Sequence, residues 1–92
     1  MQRALGSVEV RSLVGALEAA DVMVKTADVV LASLDFVGSG IVAAVVEGEV
    51  AAVSAAVESG SAAAGLISEV IATNVIPRPV PEVHKLLRRK GA

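Results

Sequence analysis

The chain has 92 residues and contains no cysteine, no tryptophan, no tyrosine and a single phenylalanine, Phe36. Without cysteine it has no disulfide, no thiolate nucleophile and no cysteine-ligated metal, which is compatible with a reducing compartment. Histidine is equally scarce. His84 is the only one, it lies in a proline-bounded tail, and no Cys, Tyr or second His accompanies it to orient a base or help hold a metal. Basic excess is also missing: the formal charge is -2 and the pI near 5.2. A nucleic-acid binder would show a basic stripe and, for single strands, stacking aromatics. No long apolar run occurs either. The longest stretch free of charge is residues 36–46, whereas a bilayer-spanning helix needs about 20 apolar residues. The charges of Ser7-Val8-Glu9-Val10-Arg11 interrupt any apolar segment of the kind a secretory signal requires.

What remains is rich in small apolar residues. Hydrophobic residues make up 54% of the chain and aromatics 1%, so the core has to be built from Val, Ala, Leu and Ile, and backbones can pack closely. A chain this short forms one domain, residues 1–92, near the lower end of the size at which one core suffices, and oligomerisation would cover part of its surface. Residues 80–92 read as a short basic tail.

At the centre, Phe36-Val37-Gly38-Ser39-Gly40 lies between two Val- and Ile-rich runs, Val29 to Leu34 and Ile41 to Val46. Both runs read as strands, and the glycines suit a tight turn where the backbone must approach another chain or a ligand. Upstream, Ser7 to Arg11 alternates polar and apolar residues and reads as a first strand. Ser12 offers a helix cap. Val14, Leu17, Ala20 or Asp21, and Val24 then fall at helical spacing, opposite a polar stripe of Glu18, Asp21 and Lys25. Downstream, Glu47-Gly48-Glu49 opens a second helix in which Val50, Val53 and Val57 share a face. The alanines after Gly60 carry that helix on to Gly65. Glu69 to Ile76 reads as a fourth strand stopped by Pro77, Pro79 and Pro81. Val83, Leu86 and Leu87 then give a short last helix with Lys85, Arg88, Arg89 and Lys90 near its end. The order βαββαβ predicts an α+β, ferredoxin-like fold: a four-stranded antiparallel sheet with helices on one face, plus a short C-terminal helix. The apolar hairpin beside a sheet face without a second layer implies that neighbouring copies or the terminal segment complete the burial.

Five blocks carry a family resemblance: Leu5 to Arg11, Glu18 to Lys25, Val37 to Gly40, Glu47 to Val53 and Val75-Ile76-Pro77-Arg78-Pro79. Over nearly the whole chain they resemble the hexamer-forming shell proteins of bacterial microcompartments, including those of propanediol- and ethanolamine-utilisation compartments and of carboxysomes. The resemblance implies a cytoplasmic homo-hexamer, tiled with other shell proteins into a protein sheet that encloses enzymes. It assigns the tip 36–40 to a central pore for small metabolites, and Lys25, Asp28 and Arg78 to the contact between hexamers. It implies no catalytic residue, metal or cofactor, and no nucleic-acid or lipid partner. Three positions depart from common family usage. Phe36 stands where many relatives carry lysine or another polar residue, Asp28 where many have asparagine, and Val80 where many have histidine. The alternative on residues alone is a ferredoxin-like regulatory oligomer that binds a small effector, although the chain offers neither a phosphate loop with lysine nor an aromatic platform.

Overall fold

The computed structural model describes residues 3–77; the expected terminal helix, His84 and Arg78 lie outside them. Six elements follow in the order β1 (Ala4–Val10), α1 (Leu13–Thr26), β2 (Val29–Gly38), β3 (Ile41–Gly48), α2 (Val50–Ala64) and β4 (Val70–Ile76). The strands form one sheet in the order β2-β3-β1-β4, antiparallel throughout. This is the ferredoxin-like arrangement expected from the βαββαβ order. No described helix is long and apolar enough to cross a membrane.

Alternation along the central strands sorts the side chains between two faces. Ala4, Val8 and Val10 of β1 join Val42, Ala44 and Val46 of β3 under the helices, in a core shared with Ala16, Ala19, Met23, Val53, Ala56 and Val57. On the other face Leu5, Ala43 and Val45 form a second, smaller cluster with Ala32. β3 is therefore apolar on both faces, as the unbroken run from Ile41 to Val46 requires.

Local chemistry sets the helix limits. Ser12 caps α1: its hydroxyl oxygen accepts from the Gly15 amide at 3.0 Å. α2 begins at Val50 rather than at Glu47, because Glu47 and Gly48 are taken up in the pairing of β3 with β1 and β2. Glu49 occupies the cap position without a side-chain cap hydrogen bond. The helix does run through Gly60. A Cβ there would come within 2.5 Å of the Met23 Cγ and 3.2 Å of the Ala19 carbonyl oxygen, so this glycine marks the close crossing of α1 and α2.

The face of α1 that is buried differs from the expected one. Of the expected stripe, Val14, Leu17 and Val24 are exposed and only Ala20 is buried, along with Gly15, Ala16, Ala19 and Met23. Small side chains let the helix settle against α2 and the sheet, and that contact excludes its larger apolar residues. β1 also starts three residues earlier than the alternation indicates, at Ala4, because Ala4, Leu5 and Gly6 pair with Gly48, Glu47 and Val46.

Two glycines test the two reasons a side chain is refused. At Gly6 a Cβ would meet the Val53 Cγ1 at 2.5 Å and the Val57 Cγ2 at 2.7 Å. Both partners are stiff, branched and buried, so Gly6→Ala should destabilise the protein by about 1–3 kcal/mol through overpacking. At Gly38 nothing lies within 4 Å, but φ is 114°. Gly38→Ala should cost about 1–3 kcal/mol from backbone strain alone. Urea titrations at matched protein concentration check both, and a Gly38→Ala midpoint equal to wild type would show that the turn relaxes.

Candidate functional site

Because β2 and β3 pair along their whole length, the turn between them is carried to one end of the sheet. Gly38 pairs with Ile41, leaving Ser39 and Gly40 at the tip. All three turn residues have positive φ: 114° at Gly38, 56° at Ser39 and 78° at Gly40. The glycines make this turn possible, and Ser39 sits in the small left-handed region open to non-glycine residues. The whole stretch 36–40 is exposed. Phe36 is 72% exposed and faces Val42 across the pair, which places it on the helix side of β2.

The same end of the sheet holds residues far away in sequence. β1 ends there at Val10, opposite Val42 and Val70. Beyond it, Arg11 donates its Nε proton to the Glu69 Oε1 at 3.0 Å, and the Arg11 amide donates to the Glu69 carbonyl at 3.0 Å. The Ser12 and Ser68 hydroxyls share a further hydrogen bond of 3.0 Å. These contacts tie the entry to α1 to the entry to β4. The exposed ion pair itself contributes about 0–1 kcal/mol. On the face away from the helices, Asp35 and Glu9 both pair with Ala43, which sets the two carboxylates on strands flanking β3, about 10 Å apart. Asp35 also accepts from the Ser33 hydroxyl at 3.2 Å. Arg11 and Glu69 offset one another, so Asp35 and Glu9 give the described residues at this end an acidic balance.

Lys25 and Asp28 stand at the other end. Lys25 lies in the last turn of α1, its Nζ 3.0 Å from the Asp21 Oδ2, with both side chains exposed. Asp28 is exposed just before Val29, whose partner Gly48 pairs in turn with Ala4. From Val29 to Gly38 the strand spans about 30 Å. The residues the resemblance assigns to a pore and those it assigns to an edge thus lie at opposite ends of the subunit, and Arg78 lies outside the described residues. The reading of the sequence missed Asp35, Glu9, Arg11 and Glu69. Their meeting depends on strand register across β1, β3 and β4, which no local motif displays. Among the described residues no group of His, Cys, Asp or Glu could hold a metal ion.

Comparison with known proteins bears on this arrangement. The chain is 51% identical over 86 residues to the bacterial microcompartment shell protein PduA of Salmonella typhimurium, covering 94% of this chain and 92% of that protein. It is 49% identical over 83 residues to the bacterial microcompartment shell protein EutM of Escherichia coli (90% and 86% covered). To the carboxysome shell protein CsoS1A of Hydrogenovibrio crunogenus it is 47% identical over 85 residues (91% and 88% covered). Among solved structures, a microcompartment protein from Desulfitobacterium hafniense superposes with a TM-score of 0.84 at 31% identity. The match covers 97% of this chain and 48% of that one, so the present chain spans about half its length. The BMC domain family matches residues 4–79, and the chain belongs to that family.

Proposed function

We propose that the protein is a structural tile of a bacterial microcompartment shell: a cyclic hexamer that joins other shell proteins in a sheet around metabolic enzymes, with a central passage for small metabolites. It would therefore reside in the shell, inside the bacterial cytoplasm. The observation that carries this reading is the separation of the Gly38-Ser39-Gly40 tip from Lys25 and Asp28 by the length of β2. A subunit of this kind can turn one end to a rotation axis and the other to a neighbouring ring. Similarity to PduA, EutM and CsoS1A, each named as a shell protein, supports it. The effector-binding alternative gains nothing from these relatives.

At the axis, six copies of Ser39 would present hydroxyls able to exchange hydrogen bonds with a polar solute, and the glycines would permit close approach of the backbones. Phe36 and Val37 would form an apolar collar beside them, where many relatives place positive charge. Six copies of Asp35 and Glu9 on the opposite mouth would add a negative field. It would act over roughly a Debye length of 8 Å at physiological salt and favour cationic or neutral metabolites. At the rim, Lys25 and Asp28, with Arg78 from the following segment, would meet their counterparts in the next hexamer. The Lys25–Asp21 pair is exposed, so it contributes only about 0.3–0.5 kcal/mol and leaves the ammonium free to exchange partners.

Lys25→Ala should leave hexamers intact in native mass spectra and abolish or shrink sheets in electron micrographs, because an edge contact of about 1–2 kcal/mol recurs along every hexamer side. Normal sheets from this variant would remove Lys25 from the edge. Phe36→Lys should leave the hexamer intact, since the side chain is exposed, and should slow the passage of small cations through reconstituted shells relative to anions. A destabilised hexamer would instead place Phe36 beneath a neighbouring subunit.

A further inference from the structure

Lys25 and Asp28 carry opposite charges at the end of the subunit away from the Gly38-Ser39-Gly40 tip, and the backbone between them is tightly held. Lys25 lies in the last turn of α1, after which Ala27 is extended. The Val29 amide donates to the Ala27 carbonyl at 2.9 Å, so Asp28 is the central residue of a three-residue turn. Ser39 is the sole non-glycine residue with positive φ among the described residues, which makes this the inverse form common at strand ends. Gly48 backs the corner: it pairs with Val29, and a Cβ there would meet the Asp28 carbonyl oxygen at 3.0 Å. The Asp28 carboxylate therefore projects from a fixed point, whereas the Lys25 ammonium rides on a flexible stem.

The charges at this end differ in their partners. Lys25 rests 3.0 Å from Asp21 in an exposed pair. Asp28 is exposed and has no ion pair among the described residues. Arg3 is the other described cation here. Its Nη2 would lie 3.5 Å from a Cβ on Gly48, yet it too has no ion pair among the described residues.

Rings that all face the same way in a six-fold sheet are related to their neighbours by a two-fold axis through the middle of each shared edge. Such a contact is self-complementary by necessity: whatever one residue meets across the edge, its counterpart meets in return. A patch of a single sign would face itself. A patch holding one cation and one carboxylate is satisfied twice.

We propose that each edge is closed by two equivalent ion pairs, Lys25 of one ring with Asp28 of the next and the reverse, and that Asp28 thereby selects which tiles share the edge. The inference rests on the tile reading above and names the chemistry of its rim. In a free ring Asp21 neutralises Lys25; at an edge the fixed carboxylate of the neighbour takes its place. A neighbour with an uncharged residue at the position of Asp28 supplies one pair instead of two, and a neighbour with a cation there is repelled. Both groups are exposed, so the pairs weaken with ionic strength as the Debye length falls from about 10 Å at 0.1 M to about 3 Å at 1 M.

The test reverses the charges one at a time and then together, with native mass spectrometry showing that each variant is a hexamer. Lys25→Asp and Asp28→Lys should each form no sheets in electron micrographs at about 0.1 M salt, because every edge then carries one sign. The double variant Lys25→Asp/Asp28→Lys should form sheets again. Mixed with gold-labelled wild type it should sort into separate sheets, with label depleted at least about tenfold from the swapped ones, since at a mixed edge cation meets cation. Asp28→Asn supplies a measurement independent of the swap, whose new carboxylate stands one turn from Asp21. It should raise the critical concentration for sheets about fivefold at 0.1 M salt and leave it unchanged at about 1 M. Arg3→Ala should change neither. Sheets from either single reversal, co-assembly of swapped and wild-type rings, an Asp28→Asn effect that is absent or persists at 1 M, or loss of sheets in Arg3→Ala would overturn the proposal. If the double variant forms no sheets, the Asp28→Asn salt series decides. Wild-type hexamers that form no sheet at any salt concentration would overturn the tile reading itself.

Discussion

The subunit depends on how closely two helices and a sheet can approach when almost no large side chain lies between them. Gly60 of α2 against Met23 and Ala19 of α1, and Gly6 of β1 against Val53 and Val57, set those distances. The core is accordingly made of alanine and valine, with Met23 as its largest fully buried side chain. Such a core is thin, and a domain of this size buries a smaller fraction of its surface than a longer chain does. The leucines that would serve a larger core, Leu13, Leu17, Leu31 and Leu66, are outside it. Close packing inside the domain and exposed apolar surface outside it are two consequences of one composition.

Sheet register then gives the tile its direction. β2 and β3 carry the glycine tip to one end, and the antiparallel return of β1 and β4 brings Arg11, Ser12, Ser68 and Glu69 to that end as well. α1 crosses back and leaves Lys25 and Asp28 at the far end. In the proposed assembly a side chain's role would therefore be set by the end of the sheet at which it stands. Phe36 and Asp35 are adjacent in sequence but lie on opposite faces of the sheet, so in the proposed ring an apolar collar and a carboxylate would stand at opposite mouths of the passage. Family membership rests on the matched residues.

Much of this was legible in the sequence, for identifiable reasons. The run from Ile41 to Val46 reads as a buried strand because it is uniformly apolar, and Gly38-Ser39-Gly40 before it reads as a turn. Ser12 was legible as a cap because capping is local. The extension of α2 past Gly60 followed from the alanines beyond it. The buried face of α1 was misread because periodicity counts large apolar residues, whereas this core selects small ones. Glu47 and Gly48 were placed in a helix because acids favour helix starts, but pairing on both sides of β3 holds them in the strand. The gathering of Asp35, Glu9, Arg11 and Glu69 at the tip's end of the sheet was illegible because only register brings them there.

The central claim is that the Ser39 tips of six copies converge on one axis. Since the chain has no cysteine, Ser39→Cys introduces one unique thiol per subunit at that point. Treatment of the purified assembly with a short bis-maleimide, followed by denaturing electrophoresis, reads the convergence directly. The account predicts a ladder of covalent species from two chains up to six and none larger. A ladder that stops at dimers, or chains that stay single in an assembly shown to be intact, would contradict it.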